Sequence, residues 1–499
     1  MLFNSPEYLL LFLPCTLAGF LLLRNGGWPR LTMGWLVLAS LFFYAWWEPR
    51  SLVLLLASIF FNYICGLQLH RNRSRMLLVF GLVLNLCVLG IFKYAHFFMN
   101  TVEHFSGTSI GFPALILPLG ISFFTFQKVA YLIDVYRGKV EKYSFIDFCL
   151  FVSFFPQLIA GPIVHHAQIV PQFRRVFQKD GGSLLWSNLA IGFTILVIGL
   201  FKKVMLADSL DAFASPVFRV AAEGFTPSAP EAWGALLAYT FQLYFDFSGY
   251  SDMAIGSARM FGILLPLNFS APYRARSIAD FWRRWHMTLS TFLRDYIYIF
   301  LGGNRKGELR TLCNLFLTML IAGLWHGAGW TFVLWGALHG LLLVVHRIWT
   351  RMKHLFALRV PVRCIRTLAL PITFFVIMVS WVFFRAADLH AAFVFLHGMF
   401  GAKGFGLPSV NDLIIPAMLW KRGLLWLGLS AAIIWGAPTT QDFLGMHAPA
   451  YDYSPPSHPR RFLHWSPTIP FAIMTAMMAM VAMSAVFLDQ DHVFLYFQF

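Results

Sequence analysis

Residues 76–92 read MLLVFGLVLNLCVLGIF, a run without a single aspartate, glutamate, lysine or arginine. A helix needs about 20 apolar residues to cross roughly 30 Å of hydrocarbon, so this run approaches the length of one crossing. Equally uncharged runs lie near both ends of the chain, at 8–23 and 470–488. The sequence therefore predicts helices that span a membrane.

The composition supports this prediction. Of the 499 residues 59% are hydrophobic and 12% are charged, whereas soluble domains carry about 25% charged residues. We predict an all-α, polytopic integral membrane protein with roughly eleven to fourteen transmembrane or re-entrant helices, in one membrane domain over residues 1–499. The further apolar stretches lie at 31–47, 52–69, 110–133, 145–164, 185–206, 232–250, 253–269, 312–325, 327–346, 366–384 and 423–436.

The net charge of +16 comes from 38 basic and 22 acidic residues. On a soluble chain this excess would suggest nucleic acid, but here the basic residues cluster between apolar stretches, as the positive-inside rule expects of cytoplasmic loops. Residues 211–231 and 386–412 are poorer in lysine and arginine and are candidates for the outer face. The basic clusters are HRNRSR (70–75), FRRVFQK (173–179), FKK (201–203), GGNRKGELR (302–310) and HRIWTRMK (346–353).

Two acids interrupt the apolar stretch QLYFDFSGYSDMAIG (242–256), namely Asp246 and Asp252. A carboxylate inside a membrane costs roughly 2.5 to 3.5 kcal/mol on insertion scales and is a functional-site hypothesis by default. The structural alternative is a helix break at SGYS, with the acids capping the second half or pairing with an arginine. Both interpretations stay open at this stage.

A second polar stretch is SIADFWRRWHMTLSTFLRDYIYIFLGGNR (277–305). Ser277 followed by Asp280 is typical of a helix N-terminus, and Asp280 and Arg284 are spaced to form an ion pair on one helix face. These charges are too many for a span that faces lipid. We expect a helix that lies at the membrane interface or lines a cavity.

The same stretch holds two tryptophans and a histidine. Trp282 and Trp285 are predicted to anchor the helix at the interface, where tryptophan is enriched. His286 is either another interfacial polar residue or part of a site.

The stretch GLWHGAGWTFVLWGALHG (323–340) carries His326 and His339. An imidazole can accept and donate a proton near neutral pH, and Trp325 and Trp330 would shield His326 from water. The alternative is a hydrogen-bonded core histidine at a helix junction. At about 100° per residue the two histidines do not share a helix face, and no third ligand has metal spacing, so we predict no metal site.

Taken in order, the three stretches 243–256, 281–305 and 323–340 resemble the membrane-bound O-acyltransferase family, in particular its bacterial polysaccharide branch. The resemblance covers roughly residues 1–350, with the core motifs in 240–346 and more variable helices in 360–499. One departure is Phe300, because the family often has proline in the motif that reads YIFLGGNR here.

This resemblance implies roles for individual residues. His326 occupies the position of the catalytic histidine, and His286 that of its polar partner. From their charge and position, a further set is a candidate for contacts with the substrate or the acyl donor. These residues are Arg283, Arg284, Asp246, Asp252, Trp325 and Arg305, with Lys306 beside Arg305.

The resemblance also implies a function. Helices around a central funnel would take an acetyl group from a cytoplasmic thioester, expected to be acetyl-CoA, with no permanently bound cofactor. The acceptor would be an exported polysaccharide such as alginate or cellulose, reached directly or through a periplasmic acetyl-carrying partner protein. The chain is expected to be a multi-pass protein of the bacterial inner membrane that contacts lipid and binds no nucleic acid. The alternatives are D-alanyl transfer to teichoic acid, and a polysaccharide transporter or complex scaffold without chemistry of its own.

Overall fold

The structure is a computed structural model that describes residues 1–108, 111, 113, 115–177, 185–355, 362–406, 413–415, 417–454, 464–488 and 494–495. Across these residues the regular structure is helical, and they contain no strand, which confirms the all-α prediction. The helices are α1 (Leu13–Asn25), α2 (Pro29–Ala45), α3 (Pro49–Asn72), α4 (Arg75–Ser106), α5 (Ile121–Tyr136), α6 (Phe145–Ser153), α7 (Phe155–Leu158), α8 (His166–Val176), α9 (Leu185–Phe201), α10 (Asp208–Ala222), α11 (Ala229–Met260), α12 (Ile278–Trp282), α13 (Met287–Phe292), α14 (Glu308–His326), α15 (Trp330–Leu355), α16 (Val362–Arg385), α17 (Leu389–Met399), α18 (Ala417–Gly436), α19 (Thr440–Phe443) and α20 (Ile469–Leu488).

The chain divides into two compact units. The first comprises Met1–Phe201, Tyr250–Leu267 and Thr440–Asp491. The second comprises Lys202–Gly249, Asn268–Thr439 and His492–Phe499, and therefore contains most of the polar stretches that the sequence singles out. The single membrane domain over residues 1–499 stays a prediction.

Eight helical segments among the described residues are long and apolar enough to cross a membrane, which confirms a polytopic membrane protein. Several other predicted crossings correspond to shorter helices, such as α5 and α6. The total of eleven to fourteen crossings and the central funnel stay predictions. The eight segments are Glu7–Asn25, Pro49–Asn72, Arg75–Ser106, Trp186–Ala222, Glu308–His326, Trp330–Lys353, Thr367–Arg385 and Ile469–Leu488.

The predicted helix break at SGYS is wrong, because α11 runs without interruption from Ala229 to Met260. The predicted separate crossing at 253–269 is therefore also wrong. A glycine in this part of α11 serves close packing: a Cβ atom on Gly256 would lie 2.5 Å from the carbonyl oxygen of Gly192 on α9. Small residues of this kind let membrane helices approach closely.

The positive-inside pattern predicts a loop at FKK (201–203). The structure shows that these residues are helical instead. A π-helical turn, Lys202–Ala207, continues α9 into α10, so that one long span results. Lys203 is buried there, and its ammonium group lies 2.7 Å from Asp208 Oδ1 and 2.8 Å from Asp246 Oδ1. The charge is therefore neutralised inside the protein.

In the second unit α14 and α15 form an antiparallel pair joined at their ends by Gly327–Gly329. A Cβ atom on Gly336 would lie 2.6 Å from the carbonyl oxygen of Met319, and one on Gly323 would lie closer still to that of Phe332. The two backbones are therefore in direct contact. This contact fixes the end of α14, where His326 lies.

Candidate active site

His326 is the last residue of α14 and is 4% exposed. Its ring is surrounded by aromatic side chains, with centroid distances of 5.0 Å to Trp325, 5.1 Å to Trp335 and 5.3 Å to Phe384. These rings come from α14, α15 and α16, and they keep bulk water away from the imidazole. A charge that develops here would interact more strongly with its surroundings than one in water.

His286 lies between α12 and α13, outside the candidate spans, and is fully buried. Its backbone has φ 43°, a left-handed conformation that residues other than glycine adopt rarely and that is common at functional sites. Asn268 Oδ1 accepts a hydrogen bond from the Thr288 hydroxyl at 2.6 Å and lies 3.3 Å from His286 Nδ1. This network assigns the proton of the neutral imidazole to Nδ1 and leaves Nε2 as an acceptor. Burial lowers the pKa of His286 to about 3.

The structure brings the two predicted histidines together. Their ring centroids are 6.4 Å apart, and Trp325 contacts both rings, at 5.9 Å from His286 and 5.0 Å from His326. Phe247 closes the other side of His286 at 4.8 Å. The arrangement is a buried imidazole pair inside a set of aromatic rings.

The predicted roles of two tryptophans need correction. Trp282 and Trp285 do not anchor a helix at the interface, because they are 8% and 2% exposed and belong to the aromatic core. Trp330 is 50% exposed, and Trp335, one and a half turns further on, packs against His326. The stretch 277–305 also forms short helices with a break at His286 rather than one helix.

His339 lies in the same motif as His326 but has a different environment. Its Nδ1 accepts a hydrogen bond from Trp282 Nε1 at 3.3 Å, and its Nε2 lies 3.0 Å from the Ser380 hydroxyl. That hydroxyl donates its own proton to the carbonyl of Ile377, so it accepts from His339. Both ring nitrogens are therefore satisfied, as expected of a structural core histidine.

Asp246 and Asp252 lie in different units. Asp246 belongs to the second unit, where it pairs with Lys203 and accepts a hydrogen bond from the backbone of Leu495 at 3.2 Å. Asp252 belongs to the first unit, where Thr440 and Gln441 each donate a hydrogen bond to it at 2.7 Å. Asp246 immediately precedes Phe247, whose ring contacts His286. A role for either acid in substrate binding stays a prediction.

The predicted donor-binding arginines differ in their contacts. Arg284 pairs with Asp280 at 2.8 Å, which confirms the expected ion pair. The Ser277 hydroxyl accepts a hydrogen bond from the Asp280 backbone N–H and so caps the N-terminus of α12, as expected. Arg283 and Arg305 are exposed. Both exposed guanidinium groups remain accessible to an anionic ligand.

A second group of histidines lies in the first unit, where ligand atoms of Asp134, His165 and His166 lie within 4.8 Å of one another. His165 Nδ1 accepts a hydrogen bond from the Ala167 backbone at 3.3 Å, so its Nε2 carries the proton and donates to Asp134 at 2.7 Å. His165 also caps α8. The absence of a metal site stays a prediction.

Several residues of the site were not identified from the sequence. Asn268 and Thr288 orient His286, while Trp335 and Phe384 enclose His326. Asn268 is the one with a signal in the sequence, because it is a polar residue inside an apolar stretch. The aromatic residues give no signal in a chain that is 17% aromatic.

Comparison with known proteins gives matches over most of the chain. The family model described as MBOAT, membrane-bound O-acyltransferase family, matches residues 9–386. The peptidoglycan O-acetyltransferase of Helicobacter pylori is 46% identical over 440 residues, which cover 82% of this chain and 81% of that protein. The probable alginate O-acetylase AlgI of Pseudomonas aeruginosa is 42% identical over 423 residues, which cover 82% and 77%.

A more distant match is the teichoic acid D-alanyltransferase of Streptococcus thermophilus, which is 31% identical over 49% of this chain and 60% of its own length. The range of the family match includes His286, His326 and Trp325. The chain therefore belongs to the membrane-bound O-acyltransferase family and is a multi-pass membrane O-acyltransferase.

Proposed function

We propose that this enzyme takes an acetyl group from acetyl-CoA at the cytoplasmic side of the bacterial inner membrane for O-acetylation of an exported polysaccharide, with His326 as general base. A periplasmic partner protein would receive the acetyl group first where the polymer itself is not the direct acceptor. The observation that carries the proposal is the burial of His326 beside His286 within aromatic rings. A base in such a site acts on a bound hydroxyl and not on bulk water.

The proposed reaction moves one proton and one acyl group. The imidazole of His326 accepts the proton of the acceptor hydroxyl while that oxygen attacks the thioester carbonyl. The tetrahedral intermediate collapses with cleavage of the carbon–sulfur bond, and the imidazolium returns the proton to the thiolate of coenzyme A. The C-terminal end of α14 carries a partial negative charge that stabilises the transient imidazolium.

His286 has a positioning role in this scheme. Its Nδ1–H is directed to Asn268, so its Nε2 can accept a hydrogen bond but cannot donate one in the neutral ring. It therefore orients His326, or a hydroxyl group held between the two rings, and does not stabilise an oxyanion. The buried neighbours and the strained backbone at His286 hold this geometry before substrate binds.

The proposal for the acyl-donor site is based on charge. Arg283, Arg305 and Lys306 are exposed, and Arg305 and Lys306 lie in the basic stretch 302–310, which the positive-inside rule predicts on the cytoplasmic side. Guanidinium and ammonium groups bind phosphate oxygens, which coenzyme A carries in its nucleotide part. Arg284 contributes less, because it is already paired with Asp280.

Acetyl transfer is favoured over D-alanyl transfer by the extent of the alignments. The relatives named as O-acetyl-transferring enzymes align over 82% of the chain, whereas the teichoic acid D-alanyltransferase aligns over 49%. A transporter or a scaffold without chemistry has no comparable support, because the family membership indicates an O-acyltransferase.

The test is the acetyl content of exported polysaccharide, measured by proton NMR, in cells that carry His326→Ala or the wild-type chain at equal membrane levels. Loss of acetyl groups at normal polymer yield is the expected result. Normal acetylation in the variant would contradict the assignment of His326 as base. Loss of the polymer itself would indicate transport or assembly.

A further inference from the structure

A polar cluster lies where α10, α11 and the end of α16 meet in the second unit. Arg385 donates a hydrogen bond to the Ser215 hydroxyl at 3.1 Å, and Ser215 donates to Asp211 Oδ1 at 2.6 Å. Gln242 Nε2 donates to the same carboxylate oxygen at 2.7 Å. The guanidinium of Arg385 also lies 5.9 Å from the ring of Tyr239. We call these five residues the outer polar cluster.

Three atoms of the outer polar cluster are buried without a hydrogen-bond partner among the described residues. They are the hydroxyl of Tyr239, Oε1 of Gln242 and Nε of Arg385. Tyr239 is 0% and Gln242 is 3% exposed, so water on the protein surface does not reach them. Leaving a polar group unpaired inside a protein costs about 1 to 3 kcal/mol, so three adjacent cases indicate a binding site for a polar ligand.

The orientation of the Gln242 amide is fixed by its neighbour. Its NH₂ group must face the Asp211 carboxylate, which can only accept, so Oε1 is the atom that lacks a partner. The cluster therefore offers one acceptor at Gln242, one donor at Arg385, and one hydroxyl at Tyr239 that can do either. A carboxylate ligand would satisfy Arg385 but would leave Gln242 without a donor.

The outer polar cluster shares α11 and α16 with the proposed active site. Arg385 directly follows Phe384, whose ring packs against His326 at 5.3 Å. Gln242 lies one turn before Asp246 and Phe247 on α11, and Phe247 contacts His286. The connections that follow α10 and α16 belong to the basic-poor stretches 211–231 and 386–412, which the charge pattern assigns to the outer face.

We propose that the outer polar cluster binds vicinal hydroxyl groups of a sugar in the acceptor glycan and delivers them to His326. Two neighbouring hydroxyls can donate to Gln242, accept from Arg385 and pair with Tyr239 at the same time. A single serine hydroxyl of a protein acceptor has one donor and two acceptor positions, so it would have to serve all three atoms from one oxygen, whereas a vicinal pair divides them between two. The binding of a sugar at this cluster does not depend on the proposed function. Only the description of that sugar as the acyl acceptor rests on it.

The test measures binding and does not depend on turnover. The full-length protein in lipid nanodiscs is titrated with cellotetraose and with a mannuronate tetrasaccharide, which separates neutral from acidic glycans as the source of the hydroxyls. We expect Tyr239→Phe to weaken the affinity for the glycan that binds by about three- to tenfold, the usual effect of one hydrogen bond. Its thermal stability should equal or exceed that of the wild type, because the hydroxyl it removes has no partner among the described residues.

Tyr273→Phe is the matched control, because the Tyr273 hydroxyl is also buried but donates to the carbonyl of Thr240 at 2.7 Å. It should lower thermal stability and leave glycan affinity unchanged, the opposite pattern to Tyr239→Phe. His326→Ala should still bind the glycan even if the proposed chemistry fails, because the three atoms of the outer polar cluster are unchanged in it. The inference is overturned if neither tetrasaccharide binds the wild type, or if Tyr239→Phe leaves the affinity unaltered. If the wild type binds no glycan but Tyr239→Phe lowers acetyl transfer, the inference is also overturned, and the cluster is assigned to a protein acceptor instead.

Discussion

His326 and His339 lie in one sequence motif, both are buried, and both contact Trp335, yet their surroundings differ in kind. His339 is held by Trp282 on one ring nitrogen and by Ser380 on the other. His326 is enclosed by rings and faces His286. The difference separates a histidine held on both ring nitrogens by hydrogen bonds across the helix packing from the one that we propose as the base.

The largest expected difference comes from replacing each histidine with glutamine. His326→Gln should lower acyl transfer by about 10²- to 10⁴-fold, the range for loss of a general base, because an amide does not accept a proton near neutral pH. His339→Gln should retain most activity, since the amide oxygen can accept from Trp282 and the amide nitrogen can donate to Ser380. Initial rates of acetyl transfer in membranes with equal protein content measure both. Equal losses in the two variants would remove the distinction.

A second prediction concerns His339 alone. His339→Leu fills a similar volume but leaves the Trp282 indole N–H without an acceptor, while the Ser380 hydroxyl loses the bond from His339 and keeps its bond to Ile377. An unpaired buried donor costs about 1 to 3 kcal/mol, so the unfolding midpoint in detergent should fall below that of His339→Gln. If both variants melt together, the two hydrogen bonds do not contribute to stability.

A third variant addresses the helix pair that positions both histidines. Gly336→Ala places a methyl group 2.6 Å from the carbonyl oxygen of Met319 and should destabilise the protein by about 1 to 3 kcal/mol through overpacking. Because Trp335 moves with α15, the rate of acetyl transfer should fall as well. Gly428→Ala on α18 is the control: a Cβ atom there meets nothing within 4 Å. A similar loss in the control would show a general effect of alanine.

The smallest effect is expected at the ion pair between Asp280 and Arg284, which is partly open to solvent. Asp280→Asn keeps the side-chain shape and removes one charge, so stability should change by about 0.2 to 1 kcal/mol or less. The rate of transfer by His326 should stay the same. A larger loss of activity, corrected for protein level, would tie this surface to the donor.

The sequence was sufficient to predict the membrane fold, because uncharged runs as long as 76–92 are typical of helices that cross a bilayer. Whole motifs, and not hydropathy, predicted His326 and His286 as a pair, and the structure brings their rings to 6.4 Å, while their roles stay predictions. The sequence failed for Lys203, which looked like a loop residue because its partners Asp208 and Asp246 become neighbours only after folding. The sequence also gave no means to distinguish His339 from His326, because Ser380, the hydrogen-bond partner of His339, lies 41 residues further along the chain.

The π-helical turn at Lys202–Ala207 determines how the protein tolerates the loss of a single residue there. In an α-helix, side chains five positions apart point in different directions, whereas the i→i+5 bonding of a π turn stacks them. Lys203 and Asp208 are five apart and form a 2.7 Å ion pair, so the pair requires the wide turn. A π turn is equivalent to one inserted residue in a regular helix. Deleting one residue of Lys202–Ala207 should restore an ordinary helix, rotate Lys203 away from both carboxylates and yield a chain that fails to accumulate in the membrane.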